Sequence, residues 1–174
     1  MISNFFLQIA NLKQIPRTGW KTKLNISNPE SVADHSYMMT VMAMIMSDIK
    51  NLNTEKIIKM SILHDWAESK IGDLMPDEIT SDKKAMLEEN AMSEILSILP
   101  DSVKDDYSTI WNDYQGKISS ESRFVHQIDK LEMALQAKIY EKGTDPEKIK
   151  LFITSAAEQV LDDDLKKILV EMIQ

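Results

Sequence analysis

The sequence predicts a single all-α domain of about seven or eight helices, and three observations support this prediction. Apolar residues recur with helical spacing in nearly every segment, and no run of useful length alternates with the period of a β-strand. The 174 residues include only 4 glycines and 5 prolines, which are too few turn-forming residues for an all-β sandwich. Because a chain of this length suits one domain, we expect residues 1–174 to share one core.

Caps and helix breakers delimit the predicted helices of the N-terminal half. These helices cover about residues 3–15, 31–50 and 54–71, with loops over 16–29 and 72–80. Ser31 and Asp34 have the spacing of a capping box at the start of the second helix. Thr54 is expected to cap the third helix, and Gly72 is expected to end it. The second helix is predicted to bury one apolar stripe, formed by Met38, Met42, Ile45 and Ile49.

The sequence pattern of the C-terminal half predicts five more helices. They cover about residues 82–98, 102–114, 119–143, 145–161 and 162–173. Ser119 or Ser120 is expected to cap the third of these five, and Gly143 is expected to end it. Asp145 stands before a proline, which is the pattern of a cap followed by the first helical residue. Since no linker or repeat intervenes, the helices of residues 145–174 are expected to belong to the same domain.

Charge and composition exclude several classes of protein. A formal net charge of −8 argues against a protein that grips duplex nucleic acid through its phosphates. A small anionic substrate remains compatible with this charge, because one site can be locally positive. The absence of cysteine excludes a disulfide framework and thiolate metal ligands. No run of about 18 apolar residues and no leader pattern is present, so we expect no membrane segment and a cytoplasmic location.

Two histidines and two aspartates are candidates for a metal site. His35 lies in the first turns of the second predicted helix, and His64 and Asp65 lie near the end of the third. Asp129 lies within the apolar stripe of a later helix, where a charge is costly unless it is paired or bound to a metal. A mixed nitrogen and oxygen ligand set suits Mn, Fe, Co, Ni or Zn, and without thiolates ligand softness does not choose among them.

The order and flanking residues of these candidates resemble the HD-domain metal-dependent phosphohydrolase superfamily, and within it the 5′-deoxynucleotidase branch. Four ordered blocks resemble that branch: Pro29-Glu30-Ser31-Val32-Ala33-Asp34-His35-Ser36, His64-Asp65-Trp66-Ala67-Glu68, Gly72-Asp73-Leu74 and Gln127-Ile128-Asp129-Lys130. An upstream block is also similar: Pro16-Arg17-Thr18-Gly19-Trp20. The similarity spans about residues 5–142, which is most of the chain.

The resemblance implies a single HD domain that acts as a metal-dependent phosphomonoesterase. Its substrates would be 2′-deoxyribonucleoside 5′-monophosphates, hydrolysed to deoxynucleoside and phosphate when metal-bound water attacks phosphorus. The one divalent ion, for which Co, Mn, Zn, Fe, Ni and Mg are candidates, would be held by His35, His64, Asp65 and Asp129. The resemblance, together with the methionine-rich apolar second helix, also implies a homodimer.

The resemblance further implies roles for four residues outside the ligand set. Glu68 would handle a proton or orient the attacking water, and Asp73 would line the site and contact the sugar or a water. Arg17 would grip the 5′-phosphate, a task that suits its planar guanidinium. Trp20 would bound the pocket for the sugar and base. Each of these residues also has an ordinary alternative, such as a solvated helix end for Glu68 or a turn for Asp73.

Two alternative functions and two residues are left open by the sequence. The chain could hydrolyse another nucleotide phosphoester or pyrophosphate, or it could be a helical module that keeps the metal without turnover. The Gly-Tyr-Pro string and the additional histidines of HD-type cyclic-dinucleotide phosphodiesterases are absent. His126 lies three residues before Asp129 and Lys130 follows it, and the sequence does not show whether either contributes to the site.

Overall fold

A computed structural model, which describes residues 1–75 and 79–174, contains ten α-helices and one 3₁₀ helix within those residues. Helices α1 to α10 are Ile2–Ala10, Thr18–Leu24, Val32–Ile49, Thr54–Leu63, Glu68–Ile71, Ser81–Ser97, Asp101–Gly116, Ser120–Ile139, Pro146–Gln159 and Asp163–Ile173, and a 3₁₀ helix over Asn11–Gln14 follows α1. The only β-type pairing in the described ranges is an isolated bridge between Pro16 and Ser31. The all-α prediction is therefore confirmed, while positions 76–78 of the predicted loop lie outside the described residues.

Helices α3, α4 and α8 pack against one another at the centre of the fold. Their fully buried side chains include Met39 of α3, Met60 of α4 and Ile128 of α8. Helices α9 and α10 cover α8, and a smaller cluster around Trp20 and Ile149 joins α2 to α9. Within the described part of the chain, no helix combines the length and the apolar character needed to cross a bilayer.

The predicted helix caps are confirmed in three places and wrong in one. Each confirmed cap accepts a hydrogen bond from a backbone N–H in the first turn of its own helix: Ser31, Ser119 and Asp145. Helix α4 is capped by Asn53, whose side chain accepts from the N–H of Lys56. The predicted cap, Thr54, is instead the first residue of the helix, and its hydroxyl lies 2.6 Å from Asp48 Oδ1.

The buried face of α3 is offset from the stripe that the sequence predicted. Ile45 and Ile49 are 50% and 65% exposed. The buried face consists of Val32, His35, Ser36, Met39, Ala43, Met46 and Ser47. Because a histidine and two serines share this face, a pattern of apolar residues alone placed it wrongly.

The predicted loop over residues 16–29 contains helix α2. Its N-terminus is capped from a distant part of the chain, because the backbone N–H of Thr18 donates to Asp73 Oδ2 at 2.6 Å. The Thr18 hydroxyl also donates to the Asp73 carbonyl at 2.8 Å. Trp20 and Leu24 then bury their side chains in the smaller apolar cluster. The loop prediction is wrong because long-range contacts stabilise this short helix.

The predicted helix over residues 54–71 is broken after Leu63. Four backbone N–H groups there donate to the carbonyl three residues earlier, at 3.0 Å each: those of Trp66, Glu68, Ser69 and Lys70. This tighter winding separates α4 from α5, which ends at Gly72 with φ of 77° as predicted. The break and the additional helix α2 account for the difference between the predicted and observed numbers of helices.

Candidate active site

All four predicted ligands meet at one point. His35 comes from α3, His64 and Asp65 come from the turn after α4, and Asp129 comes from α8. His35 Nε2 lies 3.3 Å from Asp129 Oδ1 and 3.9 Å from Asp65 Oδ2. His64 Nε2 lies 3.0 Å from Asp65 Oδ2. The tight winding after α4 brings His64 and Asp65 to the same cavity, although successive residues of a regular α-helix differ by about 100° in direction.

Both imidazole rings present their Nε2 atoms to this meeting point. The Nδ1 atom of His64 lies 2.7 Å from the carbonyl oxygen of Ser61, which can only accept a hydrogen bond. The Nδ1 atom of His35 lies 2.5 Å from Glu132 Oε2. His64 therefore carries a proton on Nδ1, and a carboxylate at Glu132 favours the same tautomer for His35, which leaves the lone pair of a neutral ring on Nε2.

The buried polar atoms at this point fit a divalent cation. Four of them have no hydrogen-bond partner among the described residues: His35 Nε2, His64 Nε2, Asp65 Oδ2 and Glu68 Oε2. Buried polar atoms without partners are rare in folded proteins, and lone pairs that face one another repel unless a cation or proton lies between them. One ligand atom from each of His35, His64 and Asp129 lies within 4.8 Å of the others. Imidazole nitrogen with carboxylate oxygen is the ligand set of first-row divalent metals.

Both ligand carboxylates are in the anionic form that a cation requires. Burial acts to raise the pKa of Asp129, but Lys130, 2.9 Å away, and His35 hold it well below its usual value. Burial also acts to raise the pKa of Asp65, but His64, whose Nε2 lies 3.0 Å away, and Arg17 hold it well below its usual value. The site therefore holds two negative charges ready for a cation.

A cavity of about 390 Å³ opens beside the four ligands, which is within the range for small-molecule sites. Seven of the residues predicted from the sequence line it: Arg17, Trp20, His64, Asp65, Glu68, Asp73 and Asp129. The eighth, His35, is fully buried behind them. The structure thus brings together every side chain that the sequence assigned to the site.

Glu68 is a buried acid at the start of α5, with 4% of its surface exposed. Burial, followed by the negative charges of Asp65 and Asp73, raises the pKa of Glu68 well above its usual value. Its Oε2 atom is one of the atoms without a hydrogen-bond partner. Glu68 can therefore keep a proton beside the cavity.

Arg17 and Trp20 form one wall of the cavity. The guanidinium Nη1 of Arg17 lies 3.6 Å from Asp65 Oδ2, beyond hydrogen-bond length, so its donors can reach an anion in the cavity. The Trp20 indole packs against Phe152 with 4.5 Å between ring centroids, and its Nε1 donates to Glu30 Oε1 at 2.8 Å. Trp20 is therefore held in place at the cavity, beside the guanidinium of Arg17.

Asp73 has a structural task that the sequence did not indicate. It caps α2 through Thr18, and Arg17 is the residue that immediately precedes this helix. The carboxylate thus fixes the backbone next to Arg17 while it lines the same cavity.

The Asp73→Ala variant is expected to lose about 1 kcal/mol of unfolding free energy, because the N–H of Thr18 loses its cap. Asp73→Asn is the matched control, since its amide oxygen can still accept that hydrogen bond. Chemical denaturation of the two variants and the wild type measures the difference. Equal stability of Asp73→Ala and the wild type would contradict this assignment.

Several residues of the site were missed or left open by the sequence. His126 and Lys130 line the cavity, but His126 Nε2 bonds to the carbonyl of Tyr114 at 2.9 Å, and Lys130 pairs with Asp129. Other lining residues gave no sequence signal, because they are ordinary polar positions on helices: Lys84, Glu88, Tyr114 and Gln115. Glu132, which contacts His35, could have been found from the sequence, because it is an acid within the apolar stripe of α8.

The chain is similar to a family model, to named relatives and to a solved structure. A family model described as the HD domain matches residues 9–169. The human protein named 5′-deoxynucleotidase HDDC2 is 41% identical over 138 residues, which cover 79% of this chain and 67% of the human protein. The Saccharomyces cerevisiae protein named 5′-deoxynucleotidase YGK1 is 33% identical over 169 residues, covering 93% and 77% respectively. The crystal structure of the PH0347 protein from Pyrococcus horikoshii OT3 superimposes with a TM-score of 0.82 at 29% identity, covering 99% and 98%.

Proposed function

The chain belongs to the HD domain family, as its match over residues 9–169 and its relatives at 33–41% identity establish, and we propose that it is a metal-dependent 5′-deoxynucleotidase. The family resemblance predicted from the sequence blocks is confirmed by these matches. The observation that supports the proposed activity most strongly is the meeting of four N/O ligands with Arg17 and Glu68 at one cavity. The reaction is hydrolysis of a 2′-deoxyribonucleoside 5′-monophosphate to deoxynucleoside and phosphate.

The proposed ion site consists of His35, His64, Asp65 and Asp129. When bound there, the divalent cation polarises a phosphoryl oxygen and lowers the pKa of water towards ~7. The two aspartates balance the formal charge of the ion, so the site needs another positive group to attract a phosphate dianion. Arg17 meets this need, because it lies beside Asp65 at the cavity wall.

Glu68 is proposed to manage the proton of the reaction. Its buried carboxyl group holds a proton at Oε2 and passes it to the 5′-oxygen as the bond from that oxygen to phosphorus breaks. Asp73 keeps one oxygen on Thr18 and offers the other to a sugar hydroxyl or a water. Trp20 bounds the space for the sugar and base. These assignments place each side chain on a different part of one bound nucleotide.

The proposed activity is tested by phosphate release from dAMP, dGMP, dCMP and dTMP in the presence of Mn²⁺ or Co²⁺. We expect release that requires the added ion and stops with EDTA. Pyrophosphate and AMP serve as comparison substrates. If the ion binds but no deoxynucleotide releases phosphate, the chain is a metal-binding module without turnover. Phosphate release from pyrophosphate alone would favour a pyrophosphate hydrolase.

The Arg17→Lys variant is expected to raise KM for dAMP by about tenfold, with a smaller change in kcat, because an ammonium group cannot form the bidentate contact of a guanidinium. Steady-state kinetics on dAMP measure both constants. Lys21→Ala is the control, since it removes an exposed cation of the neighbouring helix α2 that lies outside the cavity. If Arg17→Lys and Lys21→Ala give the same KM, Arg17 does not bind the phosphate.

The homodimer and the cytoplasmic location remain predictions, and we propose both. Large apolar side chains on α1 and α3 support a shared surface, because all of the following are exposed: Phe6, Leu7, Tyr37, Ile45 and Ile49.

A further inference from the structure

His35 is held on the side away from the cavity by a buried carboxylate. Glu132 lies on α8, one turn after Asp129, with 1% of its surface exposed. Its Oε2 atom is 2.5 Å from His35 Nδ1, so the two groups are in hydrogen-bond contact. Helix α8 therefore reaches the proposed ion site twice, directly through Asp129 and indirectly through Glu132 and His35.

The two histidines of the site are chemically unequal because of this contact. The Nδ1–H of His64 donates to a neutral backbone carbonyl, that of Ser61, whereas the Nδ1–H of His35 donates to a carboxylate. A carboxylate partner draws the Nδ1 proton towards itself and increases electron density on the ring. An imidazole in this state is a stronger metal ligand through its other nitrogen.

A second carboxylate, that of Glu30, lies beside His35 and Glu132. One candidate ligand atom each from Glu30, His35 and Glu132 lies within 4.8 Å of the others. An ion at this second position would need the lone pair of His35 Nδ1, but the contact with Glu132 has hydrogen-bond length and uses that nitrogen as a donor. Glu30 is itself fixed by Trp20 Nε1, which donates to its Oε1 at 2.8 Å. This cluster therefore serves the ring of His35 and is not a second metal site.

We propose that Glu132 is a positioning residue that fixes the orientation and tautomer of His35 and strengthens its Nε2 as a ligand of the divalent ion. The inference rests on the proposed ion site and extends it to a residue outside the ligand set. Because the role of Glu132 does not involve the substrate, measurements of ion binding test it without turnover.

The Glu132→Gln variant is expected to bind Mn²⁺ about 10–100-fold more weakly than the wild type, as measured by isothermal titration calorimetry. Glutamine has nearly the same shape and can still accept from Nδ1, but it lacks the negative charge. The control is Asp113→Asn, which alters a buried acid of α7 that bonds to Ser119 and does not line the cavity. An ion affinity of Glu132→Gln within twofold of the wild type, or an equal loss in both variants, would overturn the inference.

A measurement on the unmodified protein covers the case in which Glu132→Gln does not fold. Long-range ¹H–¹⁵N NMR spectra of the Zn²⁺-loaded protein report which nitrogen of each histidine carries a proton. We expect a strongly deshielded proton on His35 Nδ1 and an ion-bound Nε2. A proton on Nε2, or binding through Nδ1, would refute the role of Glu132. A protein that binds the ion as expected but hydrolyses no nucleotide would refute the proposed function and leave this inference intact.

Discussion

The His64→Ala variant is expected to lose its divalent ion and, with it, a thousandfold or more of its phosphate release, by a rough estimate from the several kcal/mol that a metal ion supplies. His64 Nε2 faces Asp65 Oδ2 at 3.0 Å and has no hydrogen-bond partner among the residues described. Alanine removes this ligand atom, so fewer groups hold the cation that balances the negative charges of Asp65 and Asp129. The ion content after gel filtration and the rate on dAMP measure the two losses.

The control for this prediction is another histidine of the same cavity. His126 also lines the cavity, but its Nε2 bonds to the Tyr114 carbonyl and its ring stacks on Tyr114 with 4.1 Å between centroids. His126→Ala is therefore expected to keep the ion. A His64→Ala protein that is folded by circular dichroism and still holds one ion per chain would remove His64 from the ligand set.

The Glu68→Gln variant is expected to keep the ion and lose about 10²–10⁴-fold in kcat, which is the usual contribution of a positioned acid or base. The buried carboxyl group has a raised pKa and an Oε2 atom without a hydrogen-bond partner in the described part of the chain. Glutamine preserves the shape of the side chain but cannot transfer the proton. Steady-state rates at saturating dAMP, together with Mn²⁺ titration, separate the loss of rate from any loss of ion.

An exposed acid near α5 provides the control for Glu68. Glu94 of α6 pairs with Lys70 at the surface and lies outside the cavity. Glu94→Gln is expected to keep kcat within about twofold, in line with the small effects of exposed ion pairs. A fully active Glu68→Gln enzyme would show that the proton role is wrong, while the ion site would stand.

Local sequence patterns predicted most helices because their starts depend on neighbouring residues. Ser31, Ser119 and Asp145 each cap their own helix, so a few residues of sequence contain the information. Helix α2 was missed because its cap, Asp73, is 55 residues away in the chain. A contact of that kind depends on the tertiary fold and leaves no local pattern.

Burial singled out Asp129, because a charge among apolar residues requires a partner, while the complete ligand set came from the resemblance of the sequence blocks to the HD-domain superfamily. Glu132 is likewise an acid among apolar residues, since it stands between Leu131 and the buried Ala134 on α8. The cavity residues of α6 and α7 could not be found in this way. Lys84 and Glu88 form an ordinary i,i+4 pair, and only the packing of α6 beside α5 turns them towards the site.

The most direct test of the account is anomalous diffraction from crystals grown with Mn²⁺ or Co²⁺. We expect one strong peak at coordination distance, about 2.0–2.3 Å, from His35 Nε2, His64 Nε2 and the carboxylates of Asp65 and Asp129. A map without a peak there, with these four side chains hydrogen-bonded to one another instead, would contradict it.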